Sequence, residues 1–213
     1  MSIGVLEEIV AGRLTGIPRL DVRQFERFME SGTLKPDVRC ELLDGYVVLK
    51  NRAATGDDPM NIGARHACVT DALSCRLYDV FRDSGWSVRT QTPLLINNYT
   101  EPEPDVAVIR GRGADYLPNL PGSDSVHLLI EVADSSLEAD RGKKLEQYAR
   151  AGIPTYWIVN LRDNQLEIYT NPNSKLENYV DNRVFLEHEM VEILIPGRDP
   201  VSLPVRAILD GTL

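Results

Sequence analysis

The sequence predicts a single α/β domain in which helices flank a central mixed β-sheet. Apolar segments with the periodicity of strands and of helices alternate along the chain, as such a fold requires. The 213 residues suit one large domain, and neither an internal repeat nor a Ser/Gly linker divides them. We therefore expect residues 1–213 to form one domain with a core at about 20–205.

The first predicted elements have local signals at their ends. A short helix is expected at 21–31, because Asp21 can cap it and Gln24 occupies the capping-box position. Residues 40–49 predict two strands joined by an Asp-Gly hairpin turn. Residues 66–81 predict a helix, because their apolar side chains recur at helical spacing.

Strands dominate the rest of the chain. The run at 127–132 is almost continuously apolar, as in a strand that is covered on both faces. It precedes the clearest helix, at 137–151, which Gly152 closes. The other predictions are strands at 86–92, 94–96, 106–109, 155–159, 165–169 and 183–195, a helical turn at 204–209, and loops at 52–63 and 110–125.

Composition limits the function classes. The net charge of −9 argues against non-specific coating of nucleic acid or of anionic membranes. No apolar run reaches the length of a membrane span, and we expect no signal peptide. The cysteines, Cys40, Cys68 and Cys75, lack zinc-site spacing, so we expect reduced, partly buried thiols in a cytoplasmic protein with no membrane partner.

Two carboxylates lie in apolar surroundings near strand ends. Asp105 directly precedes the strand V-A-V-I, and Glu131 follows the run H-L-L-I. Burying an ionised carboxylate is costly unless it is paired or binds a metal. Two such acids on neighbouring strands would suit Mg²⁺ or Mn²⁺. The alternative is that each is a strand-end acid that faces water or an arginine.

The helix after Glu131 supplies a candidate lysine. Asp140, Lys144 and Tyr148 are spaced at i, i+4 and i+8 and so share one helical face. Lys144 can therefore point back toward the end of the strand that carries Glu131. Lys143 lies about 100° around the helix, where we expect it to be solvated. The alternative is an i, i+4 salt bridge on the helix surface.

These residues resemble motifs of the PD-(D/E)XK nuclease superfamily. The usual lysine two residues after the glutamate is absent, because that position is Ala133. The subfamily that lacks it is a bacterial restriction-endonuclease-like family of the Uma type, to which this sequence is similar over roughly 20–205. The shared motifs are E-L-L-D-G at 41–45, P-D-V-A-V at 104–108, E-V-A-D-S-S at 131–136, and the block that begins D-R-G-K-K-L and runs over 140–157.

The resemblance implies a restriction-endonuclease-like fold and a set of site residues. Asp105 and Glu131 would be metal ligands, and the Val132 carbonyl a third ligand. Lys144 would replace the missing strand lysine from the helix. Glu41 matches an early acidic position of the family and would complete the site.

Three further positions match the family less decisively. His66 matches a histidine near the start of the second helix, and the alternative is a packing histidine. Tyr148 and Trp157 also match, and we expect both in the core. The chain departs from the family at Asn160, where relatives usually have Asp.

The resemblance implies a Mg²⁺- or Mn²⁺-dependent endonuclease that hydrolyses DNA phosphodiester bonds as a homodimer. The alternatives are a non-cleaving nucleic-acid-binding or regulatory module and a metal-free hydrolase with two carboxylates, as in glycosidases. The glycosidase interpretation has no use for Lys144. Because the protein is acidic, DNA affinity requires a local basic groove. Its candidates are Arg65, Arg76, Arg141, Lys143 and Arg150.

Overall fold

The computed structural model describes residues 19–31, 39–50, 63–117 and 119–213. The first helix, α1 (Val22–Glu30), begins at the predicted Asp21 cap with a complete capping box. An Asp-Gly turn then joins β1 (Cys40–Leu43) to β2 (Tyr46–Leu49) as an antiparallel hairpin. Both predictions are confirmed. The predicted loop at 52–63 lies outside the described residues, apart from Gly63.

The centre of the fold is a six-stranded mixed sheet in the order β3-β4-β5-β6-β7-β8. Only β5 and β6 pair in parallel among these strands. The predicted mixed α/β fold is therefore confirmed. The helix α2 (Ala64–Phe81) precedes the sheet, whose strands are β3 (Trp86–Thr90), β4 (Val106–Arg110), β5 (Val126–Ala133), β6 (Thr155–Asn160), β7 (Gln165–Asn173) and β8 (Asn178–Leu186).

A helical segment connects the parallel strands β5 and β6, because a parallel pair requires a crossover. This crossover helix consists of α3 (Leu137–Ala139), a π turn (Asp140–Lys144) and α4 (Leu145–Arg150). Its extent agrees with the predicted helix. The π turn was not predicted, since periodicity does not distinguish one widened turn from an α-helix.

Helices cover both faces of the sheet and divide the core in two. On one face, α2 packs on even-numbered β5 residues such as Ile130 and Val132. On the other face, the crossover helix packs on Leu129 and Ala133 of the same strand. Because strand side chains alternate between faces, Glu131 points toward the crossover helix.

The C-terminal part differs from its prediction. The expected strand at 183–195 is wrong: β8 ends at Leu186, and β9 (Met190–Ile193) pairs with β10 (Val201–Pro204) before α5 (Val205–Asp210). The first part of β8, at 178–182, was not predicted. This strand lies at the edge of the sheet and is largely exposed, so its residues are mostly polar. The final helical turn is confirmed.

Two further expectations can be compared with the structure. All three cysteines are free; Cys40 is half-buried, but Cys68 and Cys75 are exposed, so the expected partial burial is wrong for the latter two. None of the helices in the described part of the chain is both long and apolar enough to cross a bilayer.

Candidate active site

Asp105 lies just before β4, with its carboxylate held by donors from three elements. Its Oδ2 accepts hydrogen bonds from the backbone N–H of Val132, at 2.9 Å, and lies 3.1 Å from Nε2 of His66. Its Oδ1 accepts from the side-chain amide of Gln91 at 3.2 Å. Burial by itself raises the pKa of Asp105, but the hydrogen bonds from His66 and Val132 outweigh burial and hold the pKa well below its usual value. Asp105 is therefore a buried, ionised carboxylate.

Glu131 and Lys144 form the centre of a second group of charges. Nζ of Lys144 donates to Oε1 of Glu131 at 3.0 Å, and it lies 3.3 Å from Oε1 of Glu41. It also lies 3.7 Å from Oδ1 of Asp140. Tyr148 donates its hydroxyl to the same Oε1 of Glu131 at 2.9 Å. All of these side chains are buried.

One ammonium group cannot neutralise three buried carboxylates. Burial and the nearby acids raise the pKa of Glu131 to about 8, against the lowering effect of Lys144. Burial likewise raises the pKa of Asp140 to about 6. Burial opposes the charged form of Lys144, but the surrounding carboxylates raise its pKa well above the usual value. Without a further cation, the cluster therefore keeps Lys144 charged and holds a proton on a carboxyl near neutral pH.

The structure brings the four predicted catalytic side chains toward one region. Glu41, on β1, contacts the backbone N–H of Glu103 with Oε2 while Oε1 faces Lys144. Asp105 is close enough to Glu131 to raise its pKa. Val132 turns its N–H toward Asp105. The N–H and C=O groups of one strand residue face the same neighbouring strand. The Val132 carbonyl oxygen therefore also points to the side of β5 on which Asp105 lies.

The π turn places neighbouring basic residues on opposite sides of the crossover helix. Lys144 is buried, with 7% of its side chain exposed, whereas Lys143 is 43% exposed and pairs with Glu146. Arg141 extends toward β7 and donates two hydrogen bonds to Glu167, at 2.6 and 2.9 Å. A π turn advances fewer degrees per residue than the α-helix, so it changes the angle between Arg141 and Lys144.

Glu131 and Glu167 lie in one row across the sheet. Glu131 is paired with Ile158 on β6, and Ile158 is paired with Glu167 on β7. Two strand spacings separate the glutamates, about 10 Å. Lys144 donates to Glu131 on β5, and Arg141 donates to Glu167 on β7. The π turn is therefore attached to two strands of the sheet.

Sequence reasoning missed two residues beside Asp105. Gln91 donates to the carboxylate itself. Lys50 is close enough to lower the pKa of both Asp105 and Glu131, and its Nζ donates to the carbonyl oxygen of Glu103. Neither residue belongs to a recognisable motif, and each reaches the site only through the pairing of distant segments.

The structure also gives the positions of the residues that match the family without a clear site role, and of Asn160. His66 is buried against Asp105 rather than on the helix surface. Tyr148 and Trp157 lie in the core as expected, and Tyr148 additionally contacts Glu131. Asn160 is fully buried and donates to Glu167 at 2.8 Å, which explains why an amide is accommodated there.

Four of the basic residues predicted for a DNA groove have protein partners in the structure. Arg65 donates to the carbonyl oxygens of Leu161 and Leu209, so it connects structural elements. Arg150 forms ion pairs with Asp44 and Glu177. Arg141 and Lys143 lie on the π turn, where they pair with Glu167 and Glu146.

The donor set fits a hard divalent cation. The described residues contain no group of three or more His, Cys, Asp or Glu side chains arranged around a metal. However, Mg²⁺ is usually held by one or two carboxylates and keeps several waters, so Asp105 and Glu131 suffice. Within the described residues, the buried Oδ1 of Asp140 has no hydrogen-bond donor. That oxygen lies 3.7 Å from Nζ of Lys144, so it has an ion pair but no hydrogen bond.

Comparisons with known proteins give the family of this chain and a structure of similar fold. The chain matches the Uma2 family, described as "Putative restriction endonuclease", over residues 22–205. No protein of curated function matches it. A similar solved structure is that of a "putative nuclease belonging to DUF820 from Anabaena variabilis ATCC 29413". It is 12% identical, the alignment covers 91% of this chain and 99% of that chain, and the TM-score is 0.63. That likeness concerns the fold and agrees with the expected restriction-endonuclease-like architecture. Because the family match spans most of the sequence, the chain belongs to the Uma2 family.

Proposed function

We propose that this protein is a Mg²⁺- or Mn²⁺-dependent endonuclease of the PD-(D/E)XK type that hydrolyses DNA phosphodiester bonds. Membership of the family supports a nuclease function in general. The observation that carries the finer proposal is the buried cluster in which Lys144 lies 3.0 Å from Glu131, beside the ionised Asp105. Such a concentration of buried acids with one lysine is costly to stability, and functional sites are where such costs are found.

Each side chain has a chemical role in this proposal. Asp105, Glu131 and the Val132 carbonyl would hold the cation, which when bound neutralises phosphate charge and lowers the pKa of water. Lys144, fixed by Glu41 and Asp140, orients the attacking water or stabilises negative charge on the phosphate. Tyr148 holds Oε1 of Glu131 in place.

Nicking of supercoiled plasmid DNA tests the proposal. We expect cleavage with Mg²⁺ or Mn²⁺ and none in EDTA, with Asp105→Asn protein, purified in parallel, as the control for contaminating nucleases. Undiminished cleavage in EDTA would contradict metal dependence. Metal-bound protein that binds DNA but never cuts it would favour the alternative of a non-cleaving binding or regulatory module.

We also propose a cytoplasmic homodimer. Cutting both strands requires two sites, which a dimer supplies. The three free thiols suit a reducing compartment. Light scattering of purified protein measures the assembly: a mass near 48 kDa, twice the 23.8 kDa of the chain, is expected, and a monomer at working concentrations contradicts it.

A further inference from the structure

Gln91 is attached to Asp105 by both its backbone and its side chain. It directly follows β3, whose last residue, Thr90, is paired with Val106 of β4. The same register therefore places Gln91 opposite Asp105. The backbone N–H of Gln91 donates to the Asp105 carbonyl oxygen at 3.0 Å, and its side-chain amide donates to Oδ1 at 3.2 Å.

The amide of Gln91 completes the support of the Asp105 carboxylate. Oδ2 is held by His66 and by the N–H of Val132. Among the described residues, Gln91 is the donor to Oδ1. A carboxylate oxygen has two lone pairs, so one remains available after the amide has donated. A neutral amide also fixes the orientation of the carboxylate without supplying the positive charge that would compete with a cation.

The backbone of Gln91 is in a conformation that glutamine rarely adopts. Its φ is +47°, in the left-handed region that favours Gly, Asn and Asp. Four other non-glycine residues with positive φ are Asp or Asn, at 44, 83, 164 and 171; Glu177, in the β7–β8 turn, is the remaining one. Strained residues of this type cluster at functional sites, where the surrounding structure maintains them.

We propose that Gln91 is a positioning residue that orients the carboxylate of Asp105 for a divalent cation. This inference rests on the proposed metal-dependent function. It follows from the two contacts with Asp105 together with the left-handed backbone that Gln91 maintains. A Gly or Asn at this position would relieve the strain and lose the reach of the amide, so stability and metal binding should change independently.

Two variants and one control test whether stability and metal binding change independently. Gln91→Asn retains an amide on a backbone that tolerates positive φ, but the amide is one methylene shorter; Gln91→Gly removes it. Glu177→Asn relieves the same kind of strain in the distant β7–β8 turn and is the matched control. The measurements are the metal-free melting temperature, the Kd for Mn²⁺ by isothermal titration, and the rate of plasmid nicking.

For both Gln91 variants we expect a metal-free melting temperature within about 2 °C of the parent or above it. We expect Mn²⁺ to bind about 10-fold or more weakly, the usual effect of losing a hydrogen bond to a metal ligand, and nicking to slow. Glu177→Asn should leave Mn²⁺ binding and nicking unchanged.

Three results would overturn the inference. Unchanged Mn²⁺ affinity in Gln91→Asn shows that the amide does not position the ligand. A melting temperature more than about 4 °C lower, with Mn²⁺ affinity retained, shows a structural role. A parent protein that binds no Mn²⁺ contradicts the proposed function itself, and this inference with it.

Discussion

Nζ of Lys144 lies 3.0 Å from Oε1 of Glu131, although the two residues are on different elements, the π turn and β5. The same nitrogen is shared with Glu41 and Asp140. In the proposed mechanism, this lysine from the crossover helix takes the place of the strand lysine that Ala133 lacks. Its neighbour Lys143, which faces solvent, provides a natural comparison.

Lys144→Ala should slow DNA cleavage by roughly 10²-fold or more, because it removes the buried cation beside the acids. Lys143→Ala should mainly weaken DNA binding and make that binding less dependent on salt, since it removes an exposed positive charge that can contact phosphate. Single-turnover plasmid nicking at two salt concentrations measures both effects, with circular dichroism to verify folding. Equal losses of rate in the two variants would contradict the assignment.

Glu131→Gln should leave the metal-free protein as stable as the parent, or more stable by about 0.5–2 kcal/mol. Three carboxylates share one ammonium, so loss of one charge relieves repulsion while Lys144 retains Glu41 and Asp140. Mg²⁺ should raise the melting temperature of the parent and have little effect on the variant. Thermal melts with EDTA and with Mg²⁺ measure this.

The opposite result has a distinct cause. If Glu131 serves only to close a buried salt bridge with Lys144, removing its charge should cost about 3–5 kcal/mol. A loss of that size in EDTA, together with a parent that does not respond to Mg²⁺, would count against a metal site here.

The metal-free protein should lose stability as the pH rises from about 5 to 8. Burial raises the pKa of Glu131 to about 8 and that of Asp140 to about 6, so the folded state holds protons that the unfolded chain releases. The loss is at most about 1.4 kcal/mol per pH unit for each carboxyl that binds one extra proton. Asp105 adds nothing in this range, because its pKa is lowered.

Urea melts in EDTA at pH 5, 6, 7 and 8 measure this slope. Glu131→Gln should flatten it over the whole of this range, because the variant has no carboxyl at that position to hold an extra proton in the folded state. A parent whose stability rises with pH over this range would show that the acid cluster is fully ionised and neutralised by other groups.

Arg141→Ala should destabilise the protein by about 1–3 kcal/mol, because the buried carboxylate of Glu167 loses two of its hydrogen bonds. Cleavage should also slow, since the π turn that carries Lys144 loses its attachment to β7. Arg162→Ala is the matched control: it breaks an exposed pair with Glu138 and should cost no more than about 0.5 kcal/mol. If both variants had equal effects on urea melts and nicking, Arg141 would not attach the π turn to β7 in the way we expect.

The sequence predicted the parts of the fold that depend on local signals. The Asp21 cap, the Asp-Gly hairpin and the apolar run of β5 define their elements without help from distant residues. The first part of β8, at 178–182, was not predicted because an exposed edge strand can be polar. The π turn was missed because its effect is a change of angle within an otherwise regular helical pattern.

The same distinction applies to the candidate site. Asp105, Glu131 and Lys144 stood out through motif and helical phase, and the structure brings them together; their catalytic roles stay predictions. Gln91 and Lys50 reach Asp105 through strand pairing and loop placement, which a single sequence does not reveal. Glu167 was not predicted, because its sequence context is that of an ordinary strand residue and only the fold brings Arg141 into contact with it.

The parallel pairing of β5 with β6 has a consequence for the order of folding. A tight turn cannot close a parallel pair, so the chain must first complete the crossover helix and then dock β6. Contacts between distant segments form slowly, because the entropy of closing the intervening loop is lost before they contribute. Glu41, Asp105 and Lys144 are mutually distant in sequence, so we expect their contacts to form late in folding. A nascent chain that ends before residue 155 therefore lacks β6, whose Tyr156 and Ile158 help to form the core beneath the crossover helix. We expect the acid cluster to become stable only when most of the protein has been synthesised.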